Sequence, residues 1–309
     1  MTFLVILVLI LIGFALLPML FERRRLPIDR VYRSQAPGKF AELSAGVTHY
    51  RWAGPVRGPV AVLIHGQSTS SPMWEETAAV LADVGYRILM YDLYNRGFSD
   101  NVEGQHDVQL YLTQLDELLA DQGLDEGVTL VGYSMGGIVA TEFAATEPHR
   151  MRRLILLAPG GVIMKDSRFA KFTRDTPIIG DWLNGLLSGI RLRNQIKDDD
   201  AATLKPHIRK ARLMELERKG YLSGVLACRR GVMLHTQERQ HRAIARDGIS
   251  TVVIWGEEDR VVPVAAVGQL AQWNRRALHE VIPGAGHELP YSHIEQVNEK
   301  LRTLLRDSN

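Results

Sequence analysis

One cysteine, Cys228, in 309 residues excludes an intramolecular disulfide framework and fits a reducing compartment without demanding one. No motif around it marks a nucleophile. The chain also lacks the glycine-rich loops that cradle phosphates: neither Gly-x-Gly-x-x-Gly nor Gly-x-x-x-x-Gly-Lys occurs, which removes the obvious nucleotide sites. Ten histidines are present, but no two stand in a metal-ligand motif, so neither a metal nor another cofactor is expected. The net charge is only +2, and no nucleic-acid partner is expected. That small sum hides an uneven distribution. Residues 165–249 carry 18 Lys and Arg against 10 Asp and Glu, and Arg23, Arg24, Arg25, Arg30 and Arg33 crowd the N-terminal part. Basic residues near anionic lipid headgroups contribute about 1 kcal/mol each, so one face turned toward a membrane is one reading of this pattern. Solvated helix faces are the other.

The longest apolar run is Phe3 to Phe21, without a charge. At about 1.5 Å per helical residue it matches a hydrocarbon core of roughly 30 Å, and it reads as a transmembrane helix over residues 1–22, with Pro18 near its end. A cleaved signal peptide is the competing reading, but no positive charge precedes the run and no convincing small-x-small site follows it. The arginines that follow place the bulk of the chain on the cytoplasmic side by the positive-inside rule. Residues 23–44, with Pro27, Pro37 and Gly38 and little periodicity, read as a basic stem.

From there strand and helix patterns alternate. Val47–Trp52, Val60–Ile64, Arg87–Tyr91, an apolar run from Val128 that feeds Gly132, Leu154–Ala158, Thr251–Trp255 and Ala277–Ile282 are strand candidates. Glu75–Val84, Val108–Asp121, a segment after Gly137 and Ser292–Arg306 are helix candidates. This argues for an α/β fold with a doubly wound, mostly parallel sheet. Between Leu154–Ala158 and Thr251–Trp255 no core strand is evident, and a connection that long is not structureless. Residues 163–245 therefore read as an inserted helical cap between core segments 45–162 and 246–309. Within it Trp182, Leu183 and Leu186 belong to an apolar stripe broken by Gly180, Gly185 and Gly189. The stripe is expected to line an acyl pocket or to dip into the membrane interface; packing on the sheet is the bland alternative.

The chemistry centres on Gly132-Tyr133-Ser134-Met135-Gly136, which follows an apolar strand and precedes a helix. A serine at so sharp a turn is pushed outward, and small residues two positions away, here Gly132 and Gly136, let strand and helix approach. Serine is a weak nucleophile at neutral pH, so it needs a base, and the base needs a partner that fixes its tautomer. In a doubly wound sheet these groups sit on loops at the carboxyl ends of strands. After Thr251–Trp255 comes Gly256-Glu257-Glu258-Asp259, and after Ala277–Ile282 comes Pro283-Gly284-Ala285-Gly286-His287. His287 is the candidate base. Glu257 and Glu258 compete with Asp259 for the acid, and spacing to the strand end and to Pro263 favours Asp259. The candidate oxyanion donors are the backbone N–H groups of Met135 and of Gln67, in the loop His65-Gly66-Gln67. His65 is placed to shape that loop.

Five motifs then stand in order: His65-Gly66-Gln67 with Trp74 downstream, the run Tyr91-Asp92-Leu93-Tyr94-Asn95-Arg96-Gly97-Phe98-Ser99-Asp100, Gly132 to Gly137, Trp255 to Asp259, and Gly284-Ala285-Gly286-His287. On these the chain resembles the α/β-hydrolase superfamily over residues 45–309, with its Ser–acid–His order. The Asp-Leu-Tyr-x-Arg-Gly-x-Ser-Asp run looks like that of capped esterases and lipases, including monoacylglycerol-lipase-like enzymes with an N-terminal membrane helix. Asn95 replaces the usual glycine of that run, and in relatives the run is a scaffold turn, so Asp92, Arg96 and Ser99 are expected to be structural. The resemblance implies that Ser134 attacks an acyl ester, His287 relays the proton, Asp259 steadies His287, and water releases the acyl-enzyme. Aspartate-nucleophile dehalogenases and epoxide hydrolases are disfavoured. The substrate expected is a small-molecule ester, a lipid such as a monoacylglycerol; carbon–carbon hydrolysis, perhydrolysis, amide hydrolysis and a non-catalytic binding protein are the alternatives.

Overall fold

A computed structural model describes residues 1–198 and 204–306. Its sheet has eight strands: β1 (Lys39–Leu43), β2 (Gly46–Ala53), β3 (Val60–Ile64), β4 (Arg87–Tyr91), β5 (Val128–Tyr133), β6 (Met151–Leu157), β7 (Thr251–Gly256) and β8 (Leu278–Ile282). They are ordered β1-β2-β4-β3-β5-β6-β7-β8. The β1–β2–β4 edge is antiparallel, and β4 through β8 run parallel. The central strands are apolar on both faces, as strands covered on both sides must be. In β3, Val62 and Ile64 join one core while Ala61 and Leu63 join the other.

Helices α1 (Thr2–Arg23) and α2 (Arg30–Arg33) precede the sheet. Helix α3 (Glu75–Asp83) covers one face, and α4 (Val108–Asp121) and α5 (Met135–Thr146) cover the other, each burying its apolar side on the strands. Between β6 and β7 lie α6 (Arg168–Asp175), α7 (Ile179–Leu183), a π-turn (Asn184–Ser188), α8 (Gly189–Asp198), α9 (Pro206–Glu217), α10 (Tyr221–Arg230) and α11 (Glu238–Asp247). Among the described residues of 163–245 there is no strand. The chain ends with α12 (Ala265–Trp273), α13 (Leu289–Ser292) and α14 (Ile294–Arg306).

Two expectations need correction. The sheet begins before residue 45: residues 39–43, read as the end of the stem, form β1, paired from Lys39↔Tyr50 to Leu43↔Gly46. The strand is short and half-exposed, with only Ala41 buried, so its sequence carries no apolar run to announce it. Upstream, Asp29 caps α2 through the Tyr32 amide, and Leu26 exchanges hydrogen bonds with Glu217 and Lys219, tying the stem to α9. Trp182, Leu183 and Leu186 also sit elsewhere than in an acyl pocket. Trp182 donates its indole N–H to the Phe14 carbonyl (3.1 Å) and rests its ring 4.5 Å from that of Phe14, while a Cβ on Gly185 would lie 2.8 Å from Pro18. The stripe packs on α1, because helical spacing defines a face but not the neighbour it meets.

Two histidines are buried where protonation is disfavoured. Burial pulls His65 down to about 4, although Asp92 beside it acts in the opposite direction, and pulls His241 down to about 3. His241 stacks on Trp273, and among the described residues its ring nitrogens have no hydrogen-bond partner. Both are neutral in the native state, while the unfolded chain takes up these protons near the ordinary imidazole value of about 6.5. Stability is therefore full above that value and falls as pH drops through it, by on the order of 2 kcal/mol per histidine near pH 5. The urea midpoint is expected to fall between neutral pH and about pH 5. An unchanged midpoint would show that these imidazoles are not held neutral.

Candidate active site

The site is built at the carboxyl edge of the sheet. Ser134 follows β5 with φ 50° and ψ −114°, a conformation rare for a residue with a Cβ, and α5 begins with Met135. This turn depends on the absence of side chains beside it. A Cβ on Gly132 would lie 2.5 Å from the Gly136 carbonyl oxygen, and one on Gly136 would lie 2.2 Å from that of Ile64. The carbonyl of Ser134 accepts from the amides of Gly137 (2.9 Å) and Gly160 (3.0 Å).

His287 arrives from the turn after β8. Its Nε2 is 3.0 Å from Ser134 Oγ, and its Nδ1 is 2.8 Å from Asp259 Oδ2. Asp259, on the loop after β7, is fixed at its other oxygen, which accepts from the amides of Val261 and Val262, each at 2.7 Å. Its rivals are turned elsewhere: the Glu257 carboxylate accepts from the Gly284 amide (2.9 Å), and Glu258 is exposed. The structure thus joins the three residues singled out from sequence in one hydrogen-bonded line. In that geometry Nδ1–H donates to Asp259 and Nε2 is free to accept from the serine.

Gln67 and Ser134 line the same cavity, of about 450 Å³. The loop carrying Gln67 is braced from several sides. Its carbonyl accepts from Arg96 Nε, its side-chain amide donates to the Val225 carbonyl on α10 (3.0 Å), and buried His65 bonds Gly66 O (2.8 Å) and accepts from the Leu93 amide (2.9 Å). The Met135 amide stands in the first turn of α5, where N–H groups have no helical acceptor. Asp92, Arg96 and Ser99 make scaffold contacts. Asp92 is 2.7 Å from His49 Nδ1, and Ser99 donates to the Asp92 carbonyl (2.6 Å). Asn95 adopts φ 62°, which asparagine tolerates, and accepts from the Val102 amide (3.0 Å), so it fills the glycine's conformational role.

A sequence profile of the alpha/beta hydrolase family matches residues 61–300. The chain belongs to that family. Among members similar to it, a thermophilic esterase from Thermogutta terrifontis superposes with a TM-score of 0.72 at 26% identity, over 88% of this chain and 99% of that one. A 2-hydroxy-6-oxononadienedioate/2-hydroxy-6-oxononatrienedioate hydrolase of Paraburkholderia phymatum is 27% identical over 87% of this chain and 96% of its own length. A bifunctional esterase/perhydrolase of Acinetobacter calcoaceticus is 23% identical over 83% of this chain and 95% of its own.

Two features of this hydrolase fold were not read from its sequence. Tyr133 lays its ring 5.3 Å from that of His287 and donates its hydroxyl to the His287 carbonyl (3.1 Å), bracing the imidazole from β5. It occupies the variable position of the elbow pentapeptide, so only its neighbourhood in space reveals the contact. The other is the charge of the cavity wall: Lys165, Asp166, Arg174, Arg229 and Glu288 all line it. None of Trp182, Leu183 and Leu186 does.

Proposed function

We propose that the chain is a membrane-tethered serine hydrolase that cleaves a carboxylic ester of an amphiphile, such as a monoacylglycerol, through an acyl-enzyme at Ser134. The observation that carries the reading is the line Ser134 Oγ, His287 Nε2, His287 Nδ1, Asp259 Oδ2, with steps of 3.0 and 2.8 Å. In the reaction His287 takes the Ser134 proton as the oxygen attacks the acyl carbon, and returns it to the leaving alcohol. Asp259 holds the imidazolium, and the amides of Met135 and Gln67 receive the oxyanion. A water activated by His287 then releases the acid. The esterase and esterase/perhydrolase relatives support the ester as the bond attacked.

The tether is α1. It has 22 residues, an 18-residue stretch of mean hydropathy 3.1 and no buried residue, and is long and apolar enough to cross a membrane. It touches α7, on which Ile179 is exposed. Arg23, Arg24 and Arg25 favour a cytoplasmic catalytic domain.

A fluorophosphonate probe and p-nitrophenyl esters of rising chain length test the chemistry. Labelling that depends on Ser134, with rates rising from acetyl toward longer acyl chains, is expected. Labelling indifferent to Ser134→Ala would remove the enzyme reading, and activity confined to the shortest esters would remove the lipid one. The tether is tested separately by alkaline carbonate extraction of membranes: full-length protein is expected to stay with the bilayer, and its release, or recovery of a shortened mature chain, would overturn the anchor.

A further inference from the structure

The charged wall of the Ser134 cavity is unequally satisfied. Arg174 is held by Asp166 and, at 2.7 Å, by Asp175. Arg230 on α10 donates to Asp181 (2.7 Å) and to the carbonyls of Arg174 (3.1 Å) and Thr173 (2.9 Å). The side chain of its neighbour Arg229 forms no ion pair and no hydrogen bond among the described residues, although it is half-buried. Its guanidinium is partly withdrawn from water and bonds no carboxylate, while none of its nitrogens is sealed off from solvent, so it stays open to an anion that enters the cavity. Burial accordingly weakens its hold on its proton, and Asp166, the carboxylate that most offsets this, is already bound by Arg174.

The position of this unpaired cation is fixed relative to the chemistry. Arg229 lies four residues after Val225, hence on the same face of α10, and both line the cavity. The Val225 carbonyl accepts from the side chain of Gln67 at 3.0 Å, so the helix that carries Arg229 is bonded to the loop that flanks Ser134.

We propose that Arg229 is a subsite for an oxyanion on the substrate, a carboxylate or phosphate remote from the bond that Ser134 attacks. The inference rests on the hydrolase reading and adds the charge of the molecule to it. A planar guanidinium presents parallel donors that match both anions, which an ammonium does not. The preferred ester is therefore an anionic amphiphile in place of the neutral monoacylglycerol given as the example above, since a neutral ester leaves Arg229 without a partner.

The test uses full-length protein in a neutral detergent and two ester pairs that differ in charge. One is p-nitrophenyl hydrogen adipate against p-nitrophenyl hexanoate; the other is lysophosphatidate against a monoacylglycerol of the same acyl chain. In Arg229→Met the anionic-to-neutral ratio of kcat/KM is expected to fall about 10–100-fold in at least one pair, the range for losing a hydrogen bond to a charged group. Arg229→Lys is expected to fall between. The pair with the larger Arg229-dependent change identifies carboxylate or phosphate. A ratio unmoved in both pairs overturns the proposal, as does a proportional loss on charged and neutral esters alike, the result if Arg229 only balances Asp166. Calorimetric binding of adipate and hexanoate to Ser134→Ala reads the preference without turnover. Arg229-dependent adipate binding by a protein that hydrolyses no ester would sustain the subsite and sink the esterase.

Discussion

Ser134→Ala is expected to abolish fluorophosphonate labelling and to lower ester kcat by about 10⁴–10⁶-fold, without lowering the melting temperature. Alanine keeps the Cβ that already tolerates φ 50° and loses only the oxygen that faces His287. Asp259→Asn is the sharper companion, with an expected loss of about 10⁴-fold in kcat. Asp259 Oδ1 accepts two amides, from Val261 and Val262, so an asparagine is oriented with its oxygen toward them and its NH₂ toward His287. Nδ1 must then accept, the ring proton moves to Nε2, and Nε2 no longer receives the proton of Ser134. Steady-state kinetics on both variants checks this. If Asp259→Asn retains more than about a tenth of wild-type kcat, against that expected loss, the tautomer argument fails.

Gly136→Ala is expected to destabilise the protein by about 3 kcal/mol or more, the upper end for overpacking, and to lower its melting temperature by roughly 6–12 °C. Helix propensity alone predicts the reverse, since alanine is favoured over glycine in a helix interior by about 1 kcal/mol. The difference is the neighbour: the added methyl would lie 2.2 Å from the Ile64 oxygen and 2.6 Å from that of His65. These are backbone atoms at the end of β3 and cannot rotate away as a side chain could. They also begin the loop that carries Gln67, so remaining folded protein is expected to lose kcat as well. Thermal unfolding with residual activity measures both, and a variant at least as stable as wild type would show that propensity outweighs the contact.

Much of this architecture was legible because the central strands are apolar on both faces. β3 and β4 run from Val60 to Ile64 and from Arg87 to Tyr91, the same bounds as the patterns in the sequence. β1 was not legible. An edge strand with a single buried residue needs no apolar run, and its pairing is set by the turn at Gly46 and by β2. At the site, Gly132, Ser134 and Gly136 announced themselves through the turn they build. Asp259 could be separated from Glu257 and Glu258 only weakly by spacing, and geometry separates them cleanly: one carboxylate reaches His287, another bonds Gly284, and the third is exposed. Trp182 and Arg229 mark the limit. An apolar stripe and an arginine pair are visible in any sequence, but whether Trp182 faces α1 or a pocket, and which arginine of Arg229-Arg230 goes unpaired, depends on segments far away in the chain.

The sheet order has a consequence for the order in which the protein comes into being. Ser134 and His287 are 153 residues apart, and β7 and β8, which carry Asp259 and His287, follow the entire helical insertion. Contacts so distant in sequence close late, after the loop entropy between them has been met. During synthesis β3 to β6 can pair while the last two strands are still being made, yet the serine has no base until β8 docks beside β7. On the mechanism proposed above, a nascent chain without β8 is therefore expected to be chemically silent, and fluorophosphonate reactivity at Ser134 is expected to report that the final strand has found its place.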